Sequence, residues 1–290
     1  SGTYVPLRMS PLIIISTVLT HAFGGSAGRE GAALQLGGSL GGTIGKWLKL
    51  DEYDQKVMIM CGMSAAFSAL FGTPLTATIF AMEVVSIGIM EYAALVPCAI
   101  ASLIAREMAD LVGARAEQFP VPASVTLDIK SGALIVLLAL LCAAVSILFC
   151  EVLHRTERLF KSRMKNPWIR VVVGALLVIV LAKVLGTTDY LGAGMNIVER
   201  AIHGETEPAA FLLKIIFTAI TLSCGFKGGE IVPTLFVGAT FGCLFGQVTG
   251  LSPSLTAACG MAAVFCGVTN SPISSLLLSF ELFGFDCMPF

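Results

Sequence analysis

Two glutamates, each framed by glycines, are the residues of this sequence placed to do chemistry. Glu30 stands in Gly24-Gly25-Ser26-Ala27-Gly28-Arg29-Glu30-Gly31, and Glu230 in Gly225-Phe226-Lys227-Gly228-Gly229-Glu230-Ile231-Val232-Pro233. Each opens a long apolar run, so each carboxylate falls at the expected first turn of a helix. Free N–H groups and the positive dipole end attract negative charge there. The flanking glycines let backbone amides approach an ion with no side chain in the way. Such a place holds either the glutamate's own carboxylate or an external anion. If the two compete, protonating the glutamate releases the place to the anion, and proton movement becomes linked to anion movement. The plainer reading makes both glutamates first-turn residues that stabilise their own helices, with the glycines serving packing alone.

The elements around the two glutamates repeat. An offset of 200 aligns Gly25 with Gly225, Gly28 with Gly228, Glu30 with Glu230, Gly38 with Gly238 and Gly42 with Gly242. An offset of 198 then aligns Gly62-Met63-Ser64-Ala65-Ala66-Phe67, Pro74 and Glu83 with Gly260-Met261-Ala262-Ala263-Val264-Phe265, Pro272 and Glu281. An internal duplication of hydrophobic segments broken by Gly and Pro at corresponding positions points to the binding site of a secondary transporter, where the broken segments meet.

Composition sets the class. Of 290 residues 56% are hydrophobic and 13% charged, and the mean hydropathy is +0.88. That is too little charge to cover a water-exposed surface, so the chain reads as an integral membrane protein. A net charge of −1, with no basic run interleaved with aromatics, excludes nucleic-acid binding. The nine cysteines are scattered singly through apolar stretches and read as small buried hydrophobes. His21, His154 and His203 have no His or Cys partner at ligand spacing and read as structural or surface residues. Ser1 follows no basic leader and Phe290 stands just past an apolar segment, so no signal peptide is expected and both ends read as cut from a longer chain.

Along the chain, 10–23 is apolar but short for a perpendicular span of roughly 20 residues. Residues 31–47 are rich in glycine, 46–56 are polar, and 57–71 and 75–90 are half-length runs separated by Gly72-Thr73-Pro74. Half-length helices are tolerated in a bilayer only inside protein or along a cavity. Residues 92–111 make a fuller span, and the charged, proline-containing 112–131 reads as a linker between a first repeat, 1–111, and a second, 132–290. The second repeat opens with fuller spans at 132–153, 169–186 and 208–224 and closes with short runs at 233–248, 255–268 and 272–285. Arg155, Arg158, Lys161, Arg163, Lys165 and Arg170 place the loop between the first two of these spans in the cytoplasm, and the acidic loop after 186 on the other side. Span counting leaves parallel and inverted repeats equally open.

Four further charges need assignment. Arg29 is either a carboxylate partner or a headgroup contact. Glu83 and Glu281 end apolar runs, as solvated helix ends or as part of a proton or water path. Lys214, inside an apolar run, either snorkels to the surface or pairs with Glu230.

These residues resemble the CLC family of chloride channels and proton-coupled anion antiporters. Gly28-Arg29-Glu30-Gly31 is similar to its GREGP motif, with Ala32 in place of proline, and Gly228-Gly229-Glu230-Ile231-Val232-Pro233 to its GGxxxP motif. Tyr190-Leu191-Gly192-Ala193-Gly194 is similar to the glycine-rich stretch that precedes the latter. Phe71-Gly72-Thr73-Pro74-Leu75, with Glu83 after it, is similar to the segment carrying the family's internal glutamates. The resemblance covers essentially the whole chain. It implies an all-α polytopic membrane protein, an inverted-repeat bundle with short broken and re-entrant helices. It also implies a multi-pass protein of a bacterial-type plasma membrane that forms a homodimer with a separate anion pathway in each subunit.

On this resemblance the partners are a halide anion, protons, the lipid bilayer and a second copy of the chain, and no cofactor is needed. Glu30 would be the gate and proton carrier, with Glu83 a second gating or proton residue. Gly28, Arg29, Gly31, Gly228, Gly229, Glu230, Ile231 and Val232 would hold the anion. The dimer interface would draw on 74–110 and the segment after Pro272.

Three departures bear on the mechanism. The family's GSGIP-like serine motif would precede residue 1 and its pore-tyrosine segment would follow residue 290. The place of the internal proton-transferring glutamate falls on Val84, one residue after Glu83. Glu230 occupies a position that is apolar in chloride-transporting members, which is similar to the fluoride/proton antiporter branch. The leading expectation is a proton-coupled antiporter of chloride or another halide. The alternatives are a passive chloride channel, favoured by Val84, and a fluoride/proton antiporter, favoured by Glu230. A phosphate-binding membrane enzyme lacks support, since there is no Gly-Lys-Ser/Thr and no nucleophile beside a base. A purely structural scaffold would tolerate loss of the Glu30 charge.

Overall fold

Glycine, asparagine and proline cut the apolar sequence into its helices. A computed structural model describes residues 7–85, 90–114, 119, 121 and 128–284. Among them the helices are α1 Met9–Ala22, α2 Glu30–Trp47, α3 Glu52–Phe71, α4 Pro74–Val85, α5 Leu95–Leu111, α6 Ile129–Arg163, α7 Pro167–Leu185, α8 Met195–Ile202, α9 Ala210–Ser223, α10 Ile231–Thr249, α11 Pro253–Thr269 and α12 Pro272–Phe283. A short 3-10 turn, Tyr92–Ala94, leads into α5. At the end of α3, Gly72 takes a left-handed φ of 69° and Pro74 restarts the chain as α4; at the end of α11, Asn270 takes 54° and Pro272 restarts it as α12. A left-handed residue ends a helix and a proline opens the next at no cost in N–H groups. The four helices α1–α4 thereby recur as α9–α12.

Several boundaries differ from the sequence expectation, each for a local reason. Helix α3 starts at Glu52, ahead of the apolar run at 57, because the Asp51 carboxylate accepts the Asp54 N–H at 2.8 Å and caps it. Helix α6 runs for 35 residues, about 52 Å, past the roughly 30 Å hydrocarbon layer. Its polar extension is laced by Glu151–Arg155 and Glu157–Lys161 pairs at i,i+4. Helix α9 keeps only 14 of the residues expected for a full span. Helix α8 forms inside the acidic loop after 186 because Ile197, Val198, Ala201 and Ile202 give it one buried face. Of the linker at 112–131, residues 115–118, 120 and 122–127 lie outside the described residues; Phe119 and Val121 are buried, and the Phe119 N–H donates to Leu282 O at 3.0 Å.

Among the described residues four helical stretches are long and apolar enough to cross a membrane, namely Tyr92–Leu111, Ile129–Arg163, Pro167–Leu185 and Ile231–Thr249. Helix α10 is buried on nearly every side and packs most closely on α11, as α2 packs on α3. Glycines permit both approaches: a Cβ on Gly238 would stand 2.7 Å from Met261 Cα, and a Cβ on Gly37 would stand 2.8 Å from Gly62 C. This shifts the register inferred from the sequence. The offset of 200 pairs Gly38 and Gly42 with Gly238 and Gly242, yet Gly37 and Gly41 are the ones pressed on the α3 backbone, while Gly38 and Gly42 meet the side chains of Met63 and Ile59.

The two halves are inverted. The loop before α2 is reached from one end of α7, where the Gly192 N–H donates to Gly25 O at 3.1 Å. The equivalent loop before α10 is reached from the opposite end, where Arg170 Nε donates to Cys224 O at 3.4 Å.

Candidate functional site

The two glycine loops meet where Gly28 pairs with Gly229. Gly28 N–H donates to Gly229 O and Gly229 N–H to Gly28 O, both at 2.7 Å, the one isolated antiparallel bridge among the described residues. Only glycine fits. A Cβ on Gly229 would lie 2.6 Å from Gly31 N, one on Gly31 would lie 2.9 Å from Gly229 Cα, and one on Gly228 would collide with the Ala27 methyl.

Helices α2 and α10 both begin at this crossing. The first bond of the α2 ladder is Ala33 N–H to Arg29 O (3.2 Å) and that of α10 is Thr234 N–H to Glu230 O (3.0 Å). The N–H groups of Glu30, Gly31 and Ala32, and of Ile231 and Val232, therefore lie ahead of their ladders, with Pro233 carrying none. Two positive helix ends converge on one point, where an anion is favoured.

Glu30 already supplies negative charge at that point. It is 5% exposed, its Oε1 stands 3.7 Å from Arg29 Nε, and its Oε2 lies so close over Gly28 that a Cβ there would strike it. Arg29 is exposed for most of its length and so serves as a carboxylate partner from the edge of the site. The same Cβ on Gly28 would sit 3.2 Å from Val232 Cβ, which brings Gly28, Glu30, Gly229 and Val232 into one small volume. Ile231 and Val232 are buried in the first turn of α10. Glu230, one residue earlier, keeps an exposed side chain and interacts electrostatically with His154 of α6. The duplicated glutamates thus differ in setting, one buried at the crossing and one exposed.

Helix α9 holds the Glu30 loop in place. Thr218 and Thr221, both fully buried, bond to Ser26, through Ser26 Oγ at 3.1 Å and the Ser26 N–H at 3.1 Å. The spacing of these threonines in an otherwise apolar helix was the signal for them, and Ser26 stood within the motif itself.

Lys214, one turn before Thr218 on α9, takes neither expected course. It does not snorkel and does not pair with Glu230: it is 0% exposed, with Nζ donating to Gly192 O at 2.8 Å and Tyr190 O at 3.3 Å and lying 5.0 Å from the Phe236 ring centre. The Tyr190 hydroxyl donates to Glu207 at 2.8 Å beside a cleft of about 210 Å³. Burial and that carboxylate push the Tyr190 phenol up, so it stays neutral.

Glu83 is brought elsewhere. Its carboxylate accepts the N–H groups of Ile273 (3.1 Å) and Ser274 (2.9 Å) and the Ser274 hydroxyl, at the start of α12. Glu281, at the end of α12, accepts the N–H groups of Leu75 (3.0 Å) and Thr76 (2.8 Å) and the Thr76 hydroxyl (2.7 Å), at the start of α4. The two helices run antiparallel and each ends by capping the other, so neither glutamate is a solvated helix end. Among the described residues, the hydrogen bonds of Glu83 go to α12 and none to the glycine crossing.

Comparison with known proteins gives one consistent family. A family model described as voltage gated chloride channel matches residues 1–290. A chloride/fluoride channel protein of Pseudomonas syringae pv. tomato is 33% identical over 98% of this chain and 64% of its own length. A voltage-gated ClC-type chloride channel ClcB of Escherichia coli is 28% identical over 93% of the chain and 66% of its own length. The chain therefore spans about two thirds of the length of these relatives. Among solved structures, a CLC-type fluoride/proton antiporter superposes with a TM-score of 0.95 at 35% identity, covering 99% of this chain and 73% of that one. A slow cyanobacterial Cl−/H+ antiporter superposes at 0.82 and 19% identity over 96% and 68%, a likeness of fold.

Proposed function

Because the chain belongs to the voltage-gated chloride channel family, an integral membrane family, we propose that it exchanges a halide for protons across the bilayer with Glu30 as gate and proton carrier. The observation that carries this is the Glu30 carboxylate lying over Gly28 where the N-termini of α2 and α10 converge. Ionised, it holds the place of the anion. Protonated, it loses the attraction of the helix end, up to about 2 kcal/mol for a partly buried group, and of Arg29, and gives way to the halide. The anion then rests between N–H groups of α2 and of Ile231 and Val232, with Gly28, Gly31, Gly228 and Gly229 leaving the backbone open to it. No catalytic chemistry and no cofactor are assigned. A second copy of the chain covers the apolar side chains exposed on α5 and α12, among them Val96, Ile100, Leu103, Ile273 and Leu276.

Fluoride is the halide this reading favours, with chloride second. Glu230 supports it, as do the names of the 33% identical relative and of the antiporter that superposes at 0.95. A carboxylate near the path disfavours a second anion and leaves the smaller, more basic fluoride, which binds a proton, at an advantage. Glu230→Ile is expected to lower the fluoride-to-chloride flux ratio by about tenfold, on the scale of one partly screened charge. An unaltered ratio removes Glu230 from selectivity.

Glu83 is assigned to holding the start of α12, as Glu281 of α12 holds the start of α4, in place of the proton-carrying role its motif suggested. Glu83→Gln should lower the thermal midpoint through loss of charge-assisted hydrogen bonds, roughly 1.5–3 kcal/mol, and leave the proton-to-halide ratio as it was. A changed ratio in a protein of normal stability would return Glu83 to the proton path.

The whole reading is tested in liposomes loaded with fluoride or chloride, with halide efflux and proton uptake recorded together. Uphill proton uptake driven by one halide gives an antiporter and names the ion. Halide flux without proton movement makes the protein a passive channel and leaves Glu30 as a gate only.

A further inference from the structure

Lys214 is a buried cation that the transport reading does not use. Burying an ammonium costs several kcal/mol, and a well-packed apolar side chain of the same length, such as methionine, would fill the volume without that cost. Among the described residues the ammonium forms no ion pair. What offsets its burial is the pair of carbonyls of Tyr190 and Gly192 and the face of Phe236. Those carbonyls belong to a turn that is itself bound to the gate loop, since the Gly192 N–H donates to Gly25 O.

Two polar holds on the Glu30 loop therefore come from α9. Thr218 and Thr221 grip Ser26 directly, and Lys214, four residues before Thr218, reaches Gly25 through the backbone of Gly192. The position is crowded: a Cβ on Gly194 would lie 2.8 Å from the Phe236 ring and 3.4 Å from Lys214 Nζ. The neighbouring ionisable groups are already engaged or of the same sign. Tyr190 is bonded to Glu207, Asp189 to Arg200 at 3.4 Å, and His21 lies within electrostatic reach of both Arg29 and Lys214.

We infer that Lys214 is a positioning residue for halide uptake from the side of the membrane opposite the basic α6–α7 segment. Its ammonium draws the Tyr190 and Gly192 carbonyls inward, which turns the Gly192 N–H onto the gate loop. Its charge cancels the negative ends of those carbonyls, which would otherwise repel an anion approaching Glu30. The inference rests on the transport reading above.

The test uses the protein in liposomes with Lys214→Arg, Lys214→Gln and Lys214→Met, measuring initial flux against fluoride or chloride concentration on that side. Lys214→Met should raise the half-saturating halide concentration about tenfold, the effect of one partly screened unit charge. Lys214→Gln, which keeps a donor and loses the charge, should fall between, and Lys214→Arg should return to within about twofold of the parent. Half-saturation unchanged in both Lys214→Met and Lys214→Gln, with maximal flux falling in step with the thermal midpoint, overturns the inference and leaves Lys214 a structural anchor. A parent protein that carries neither halide overturns the transport reading itself, and this inference with it.

Discussion

Glu30→Gln should abolish halide-driven proton uptake while halide flux continues. The amide has nearly the shape of the carboxyl it replaces, so the glycine crossing and the buried position of the side chain are kept. What disappears is the group that takes up and releases a proton, and with it the linkage between the two fluxes. The substitution imitates the protonated gate permanently, so halide flux should become insensitive to acidification. In the parent, flux should rise as pH falls, because protonation is what removes the competing carboxylate. Proton uptake is expected to drop to the level of empty liposomes, a loss of at least about a hundredfold of the kind general acid–base groups contribute. Unchanged coupled exchange in Glu30→Gln would remove the gate assignment and leave Glu30 a first-turn residue that stabilises α2.

Gly229→Ala should reduce halide flux at least about tenfold in a protein that still assembles, because binding constellations tolerate displacements of only about 0.5 Å. The added Cβ would lie 2.6 Å from Gly31 N and 3.1 Å from Gly31 Cα, both backbone atoms that cannot rotate aside. The crossing must then open, moving the starts of α2 and α10 apart at a cost of roughly 1–3 kcal/mol. Gly132→Ala, where a Cβ meets nothing within 4 Å, is the control and should leave flux unchanged. Normal flux in Gly229→Ala would mean that the contact between the two loops is not part of the anion path. Size-exclusion profiles of both variants separate this outcome from simple misfolding.

What the sequence by itself determined is local. Low charge and high hydropathy are sums over residues, and they identify a membrane protein without reference to any contact. Glycine and proline act on their own backbone, so Gly72-Thr73-Pro74 and the start of α12 at Pro272 were legible as breaks, and the starts of α2 and α10 followed from the glycine motifs. The duplication was legible because its two copies keep their spacing.

What only the tertiary structure decided is which groups meet. Gly28 bonds to Gly229, Glu83 to Ser274, Glu281 to Thr76 and Ser26 to Thr218 across about two hundred positions of chain, and no local periodicity reports on such pairs. The sequence likewise could not separate Gly37 from Gly38, because the face of α2 that is pressed against α3 is selected by the neighbour. Lys214 was misplaced for the same reason. A lysine in an apolar run reads as snorkelling or ion-paired, and the carbonyls that hold it belong to a turn whose approach depends on how α8, α9 and α10 pack. Side chains whose energy depends on distant partners acquire their roles only when the fold supplies those partners.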